Sequence, residues 1–150
     1  MSCDPETTNR ARAAKGEQTM SQDVTIQTSA YYLPSPKFTW SSTGGIADAG
    51  MFEFLVAHWG GVKSPAVGTL HVQIAFLGAK GAFSMKLELI AKATATPDIY
   101  SFTGPWQLSS GSGTYATVKG AGQAEIIGRV DQQSTASDPE LGTLTGKIGN

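Results

Sequence analysis

The sequence is poor in cysteine, histidine and charge, and each shortage removes a class of function. Cys3 is the only cysteine among the 150 residues, so neither an intrachain disulfide nor a cysteine-built zinc site can form within the chain. Charged residues make up 15% of the chain and the formal net charge is −1. With no basic excess to neutralise a phosphate backbone, nucleic acid is not an expected partner. No apolar run approaches the roughly 18 residues that span a bilayer as a helix. The opening MSCDPETTNRARAAKGEQTM has no apolar centre of signal-peptide type. The expectation is a cytoplasmic protein with no membrane partner.

A sustained helical stripe is missing as well. From Asp23 onward apolar residues recur with period two. Val24 and Ile26 alternate with Thr25 and Gln27. Leu70, Val72, Ile74 and Phe76 alternate with His71, Gln73 and Ala75. Phe83, Met85, Leu87 and Leu89 alternate with Ser84, Lys86 and Glu88. Phe38 and Trp40, Tyr100 and Phe102, and Ala124, Ile126 and Val130 repeat the pattern. Between these runs stand turn formers: Gly44-Gly45, Gly60-Gly61, Pro65, Gly78 to Gly81, Pro97-Asp98, Gly111 to Gly113 and Pro139. The pattern predicts an all-β domain over residues 22–150, preceded by a polar, disordered tail over residues 1–21. Met20 followed by SQDVTIQ reads like a natural start, so the tail reads equally as an extension. One apolar face per strand and short connections predict a single antiparallel β-barrel of about eight strands, which buries that face and removes the edges. A β-sandwich is the alternative.

The stretch SSGSGTYATVKGAG, Ser109 to Gly122, tests a phosphate-binding reading. A P-loop requires GxxxxGK before Ser or Thr, whereas Lys119 precedes Gly120. A GxGxxG fingerprint fails at Ala116. The glycines are better read as a turn near Gly113 and, at Gly120 and Gly122, as a strand passing close to its neighbour.

WQLSSGSGTYATVKGAG, Trp106 to Gly122, resembles the W-x-I-x-x-GTGxY-x-x-x-x-GxG signature of allene oxide cyclase-like and dirigent-like β-barrels, which include many small actinobacterial proteins. GGIADAGMFEF, Gly44 to Phe54, is similar to the glycine-rich strand pair of that bacterial group. LGAKGAFSMKLEL, Leu77 to Leu89, is similar to its GxKGxFxLxF hairpin. The resemblance covers about residues 37 to 130. It implies an allene oxide cyclase-like barrel, cyclase or isomerase chemistry without a cofactor, and a homo-oligomer. It departs at Ser112, where threonine is more usual, and no catalytic motif of the plant enzymes has a counterpart on which to place their residues.

Candidate site residues follow from the alternation. In MFEFLVAHW, Phe52, Phe54, Val56 and His58 share one face; Met51, Glu53, Leu55, Ala57 and Trp59 share the other. With Phe52 inside, His58 is expected inward near a barrel mouth, as a proton relay or as a half-buried, hydrogen-bonded strand-end residue. A slip of one residue would instead put Glu53 inside. Tyr100 and Tyr115 are the other expected catalytic groups. Trp40, Phe52, Phe54, Phe76, Phe102 and Trp106 are expected to line an apolar ligand pocket or simply to fill the barrel. His58 and His71 are the only histidines; they lie on different strands without HExxH spacing, and no metal site is expected. The expected function is cofactor-independent cyclisation or isomerisation of an apolar polyketide-, terpenoid- or lipid-like molecule. The alternatives are a barrel that carries such a ligand without turnover, and a structural oligomeric barrel.

Overall fold

The computed structural model describes residues 21–60, 68–129 and 134–149, except for the side chains of residues 58–60. Residues 1–20 of the expected tail, and Val130, lie outside the described residues. The strands are β1 (Gln22–Tyr31), β2 (Lys37–Gly44), β3 (Asp48–Gly60), β4 (Thr69–Gly78), β5 (Ala82–Ala93), β6 (Tyr100–Gly111), β7 (Lys119–Gly128) and β8 (Glu140–Gly149). Each pairs antiparallel with its neighbours in sequence, and β8 returns to pair with β1, Ile148 opposite Gln22 and Glu140 opposite Ala30. The sheet is therefore a closed eight-stranded barrel and not a sandwich. Among the described residues the helical content is one 3-10 turn, Gly113–Tyr115, between β6 and β7. Among the described residues no helix is long and apolar enough to cross a membrane.

Alternation places the core. Ile26, Ile74, Phe76, Met85, Leu87, Leu89 and Leu144 are buried, while Gln27, Lys86, Glu88, Glu125 and Thr143 between them face out. The same geometric device packs each half of the barrel. Trp40 of β2 stands opposite Gly50, which stands opposite Gly78. Trp106 of β6 stands opposite Gly122, which stands opposite Gly146. Each tryptophan thus has two successive glycines across the next two strands. A Cβ at Gly78 would lie 3.0 Å from the Trp40 ring, and one at Gly146 only 2.7 Å from the Trp106 ring. The indole N–H donates to the carbonyl that precedes the second glycine: Trp40 to Leu77 O at 3.2 Å, and Trp106 to Thr145 O at 3.1 Å. Large rings are admitted to a narrow barrel because the neighbouring strands give up their side chains.

One strand departs from simple alternation. In β3 the register shifts between Phe54 and Val56, so that Leu55 is an extra residue. Before the bulge Phe52 faces Phe76 and Phe54 faces Ile74; after it Ala57 faces Val72 and His58 faces His71. His58 therefore pairs with His71, where an unbroken register would pair it with Leu70; its side chain, and so the inward position expected for it, lies outside the described residues. The physical reason for the shift is that one inserted residue moves the pairing of everything beyond it. Trp59, expected outward, pairs with Leu70, and its side chain likewise lies outside the described residues.

Candidate functional site

The barrel ends are built differently. At one end lie the β2–β3, β4–β5 and β6–β7 connections, and Asp48 ties them together. Its carboxylate accepts hydrogen bonds from Ala49 N at 2.8 Å, Ala79 N at 3.1 Å, Lys80 N at 3.0 Å and the Tyr115 hydroxyl at 2.6 Å. Lys80 Nζ returns to Ala47 O at 2.7 Å. Gly113, at φ 59°, makes the turn that swings Tyr115 under this cap. The Tyr115 ring lies 5.2 Å from Phe83, which stacks on Phe76 at 4.9 Å, with Trp40 edge-on to both. Ile46 is buried in the same cap.

The Tyr115 hydroxyl, and behind it the three backbone N–H groups, hold the Asp48 carboxyl down at about 2 against partial desolvation. Burial, with the Asp48 bond added, pushes the Tyr115 phenol up. A depressed carboxyl contributes stability above its unfolded value of 3.8 that is lost as pH falls through about 2. In Tyr115→Phe the Asp48 pKa should rise toward 3.8, and acid unfolding should begin at higher pH. Carboxyl-carbon NMR titration reads the first effect, and circular dichroism against pH the second. An Asp48 titration unchanged by the loss of the hydroxyl would remove this account of the cap.

The opposite end carries the β1–β2 and β7–β8 connections, which are tied to each other. Tyr32 N and Leu33 N both donate to Ser134 O, at 3.0 and 3.1 Å, and Ala136 N donates to Leu33 O at 3.0 Å. Across the inner wall below them runs one row of residues. Phe38 faces Ala30, Ala30 faces Glu140, Glu140 lies against Gly128, and Gly128 faces Tyr100. Glu140 is thus an inward carboxylate whose two strand neighbours are the smallest residues available. A Cβ at Gly128 would lie 2.6 Å from Glu140 Cγ, so glycine is what leaves the carboxylate its room. Around this niche the rings are close: Tyr32 to Phe38 at 5.1 Å, Phe38 to Phe52 at 5.5 Å, and Phe38 to Phe54 at 5.6 Å. Among the described residues no side chain pairs with the Glu140 carboxylate, and burial alone pushes its pKa up to about 7. Burial also raises the Tyr32 phenol, and the Glu140 charge adds to that.

Family models, curated proteins and solved structures were searched, and none matches this chain.

The expected site residues do not share one place. Tyr115 belongs to the capped end, while Tyr100 lies in the Glu140 row. His58 lies at the register position opposite His71. Trp40, Phe76 and Trp106 are buried in the packed core; Phe52 and Phe102 are buried nearer the Glu140 end, and Phe54 is half-buried there. Glu53 is exposed. A separate groove of about 760 Å³ lies at the rim of the capped end against β6, β7 and β8, where it carries Lys119 and Lys147 and no carboxylate. Its lining offers no acid and base pair.

Glu140 and Asp48 were not singled out by sequence reasoning. A signal for Glu140 was present: residues 140, 142, 144, 146 and 148 read Glu, Gly, Leu, Gly, Ile. A charged residue shares parity with two large apolar ones, whereas a solvated glutamate would sit on the opposite parity. Asp48 lies between Ala47 and Ala49 in a turn and carries no comparable signal.

Proposed function

We propose that this barrel is a cofactor-independent isomerase or cyclase of an apolar small molecule, working in the cytoplasm, with Glu140 as its general acid and base. One observation carries the reading: an inward carboxylate with no partner among the described side chains, in an aromatic niche, with its pKa lifted to about 7. Such a group is part carboxylate and part acid at neutral pH, the condition under which one residue can both take and return a proton. Ionised Glu140 removes a proton from carbon beside a carbonyl or alkene. The electron pair shifts along the conjugated system, and the carboxyl returns the proton at the far carbon. One C–H bond breaks and one forms, with no net oxidation. Phe38, Phe54 and Tyr100 would hold the flexible chain in a reactive shape and exclude water. The resemblance to allene oxide cyclase-like barrels supports the same class of chemistry, although fold alone does not assign it.

The test begins with protein purified from its own producing cells. Solvent extraction and mass spectrometry identify the bound apolar compound, which is then incubated with the protein in D2O. Deuterium entering carbon, or a rearranged product of equal mass, is expected. Recovery of the bound compound unchanged and unexchanged would overturn catalysis in favour of a ligand-carrying barrel.

A further inference from the structure

The inner row of β1 does not stop with the strand. Val24, Ile26, Thr28 and Ala30 are buried at every second position. Tyr32 comes next in that series, and its half-buried ring meets Phe38 edge-on at 5.1 Å. Phe38 stands opposite Ala30, and Ala30 stands opposite Glu140. Tyr32 and Glu140 are therefore diagonal neighbours across one strand pair. That relation sets residues about 7–8 Å apart, within reach of aromatic and long side chains. The backbone at Tyr32 is held from the same side. Its N–H donates at 3.0 Å to Ser134 O, in the connection that leads into β8 and Glu140.

The phenol and the carboxylate act on each other without bonding. Burial raises the Tyr32 phenol and the Glu140 charge adds to the rise, yet among the described residues the phenol has no hydrogen-bond partner. Two other hydroxyls of the inner wall are placed differently. Tyr100 stands two strands from Glu140, beyond Gly128, at about twice the 4.7–4.9 Å strand spacing. Thr28 lies one row deeper, opposite Trp40 and Gly142. Of the three, Tyr32 alone is both next to the carboxylate and at the mouth. A phenol is also a stronger acid than an aliphatic alcohol, and so a better donor to an oxygen that gains negative charge.

We propose that Tyr32 is a second catalytic residue of this site, the hydrogen-bond donor to the carbonyl oxygen of an enolisable ketone or enone whose α-proton Glu140 removes. The proposal rests on Glu140 as acid and base, and it narrows the substrate class to carbonyl compounds. As Glu140 takes the α-proton, the C–H electron pair becomes the C=C bond of the enolate and the carbonyl π pair moves to oxygen. Tyr32 keeps its proton and strengthens its hydrogen bond to that oxygen. The reverse movement returns the proton from the carboxyl to carbon. An alkene without a carbonyl offers Tyr32 no acceptor and leaves the phenol unpaired.

The test uses the full chain and two probes of nearly equal shape, methyl naphthyl ketone and ethylnaphthalene. The ketone is expected to bind more tightly than the hydrocarbon. Its infrared carbonyl band should move to lower frequency, and its methyl protons should exchange in D2O. In Tyr32→Phe the band should return toward its free position and ketone affinity should fall about 3- to 10-fold. Exchange should slow by roughly 100-fold, while ethylnaphthalene affinity stays the same. Thr28→Val and Tyr100→Phe should keep the shifted band. Circular dichroism establishes that each variant folds. A ketone that binds no more tightly than ethylnaphthalene, or not at all, overturns the proposal, and so does a shifted band that survives Tyr32→Phe. Glu140→Gln separates the two readings: exchange that persists there overturns Glu140 as the base, whereas the band shift reports on Tyr32 alone.

Discussion

Glu140→Gln should reduce turnover by about 100- to 10,000-fold, the usual contribution of a positioned acid and base, and should also make the protein more stable in alkaline solution. The second effect follows from linkage. The carboxyl has an ordinary value of 4.5 and is raised to about 7 in the fold by burial. Between these pH values the unfolded chain has released the proton and the folded chain keeps it. The folded state then binds more protons, so stability falls as pH rises through that window. The contribution is fully present below 4.5 and lost above about 7, amounting to about 3 kcal/mol. Glutamine cannot ionise, so the variant lacks this loss. Urea unfolding at pH 5 and pH 8 reads the difference directly, with outward Glu125→Gln as the comparison. If wild type and Glu140→Gln show the same change between the two pH values, the carboxylate is not desolvated as described. If turnover survives the substitution, Glu140 is not the acid and base.

Trp106→Ala should cost about 3–5 kcal/mol, the range for emptying a large aromatic site in a core, out of a total stability of roughly 5–15 kcal/mol for a domain of ordinary stability. The ring is 1% exposed. It lies across Gly122 and Gly146, so on that side neither strand offers a side chain to collapse into the space. Its loss also leaves Thr145 O without the 3.1 Å indole bond. Trp106→Phe keeps most of the volume and removes only that donor, and should cost about 1–2 kcal/mol more moderately through the orphaned group and imperfect fit. Gly146→Ala tests the same contact from the other side: its Cβ would lie 2.2 Å from Ala121 O and 2.7 Å from the indole, forcing β7, β8 and the ring apart. Urea midpoints for the three variants check the account. A Trp106→Ala midpoint equal to wild type would mean that the ring is not a packing element.

How far the site was legible depended on what each residue obeys. Phe52, Phe102 and Tyr100 follow alternation, so their inner row was readable. The partner of His58 could not be read by counting, because the bulge at Leu55 shifts the register of β3 on β4. Nothing in FEFLVAH marks Leu55 as the extra residue, because a bulge is set by how two strands twist together. Glu140 was readable in principle from its parity with Leu144 and Ile148, but its importance lies in Ala30 and Gly128, which come from strands distant in sequence.

By itself the sequence determined the class of structure. A two-residue apolar period interrupted by glycine and proline can bury its face only in an antiparallel sheet closed on itself or folded double, and low charge with one cysteine narrows the chemistry further. Tertiary structure chose closure, through the pairing of β1 with β8, the two ends of the barrel domain. It also chose which carboxylate is solvated by backbone N–H groups, as in Asp48, and which is stranded among rings, as in Glu140. Both residues are carboxylic acids with nearly the same intrinsic acidity. Their chemistry differs because a carboxylate's pKa responds to the donors and water within a few ångströms, and those are supplied by chain segments that only folding brings near.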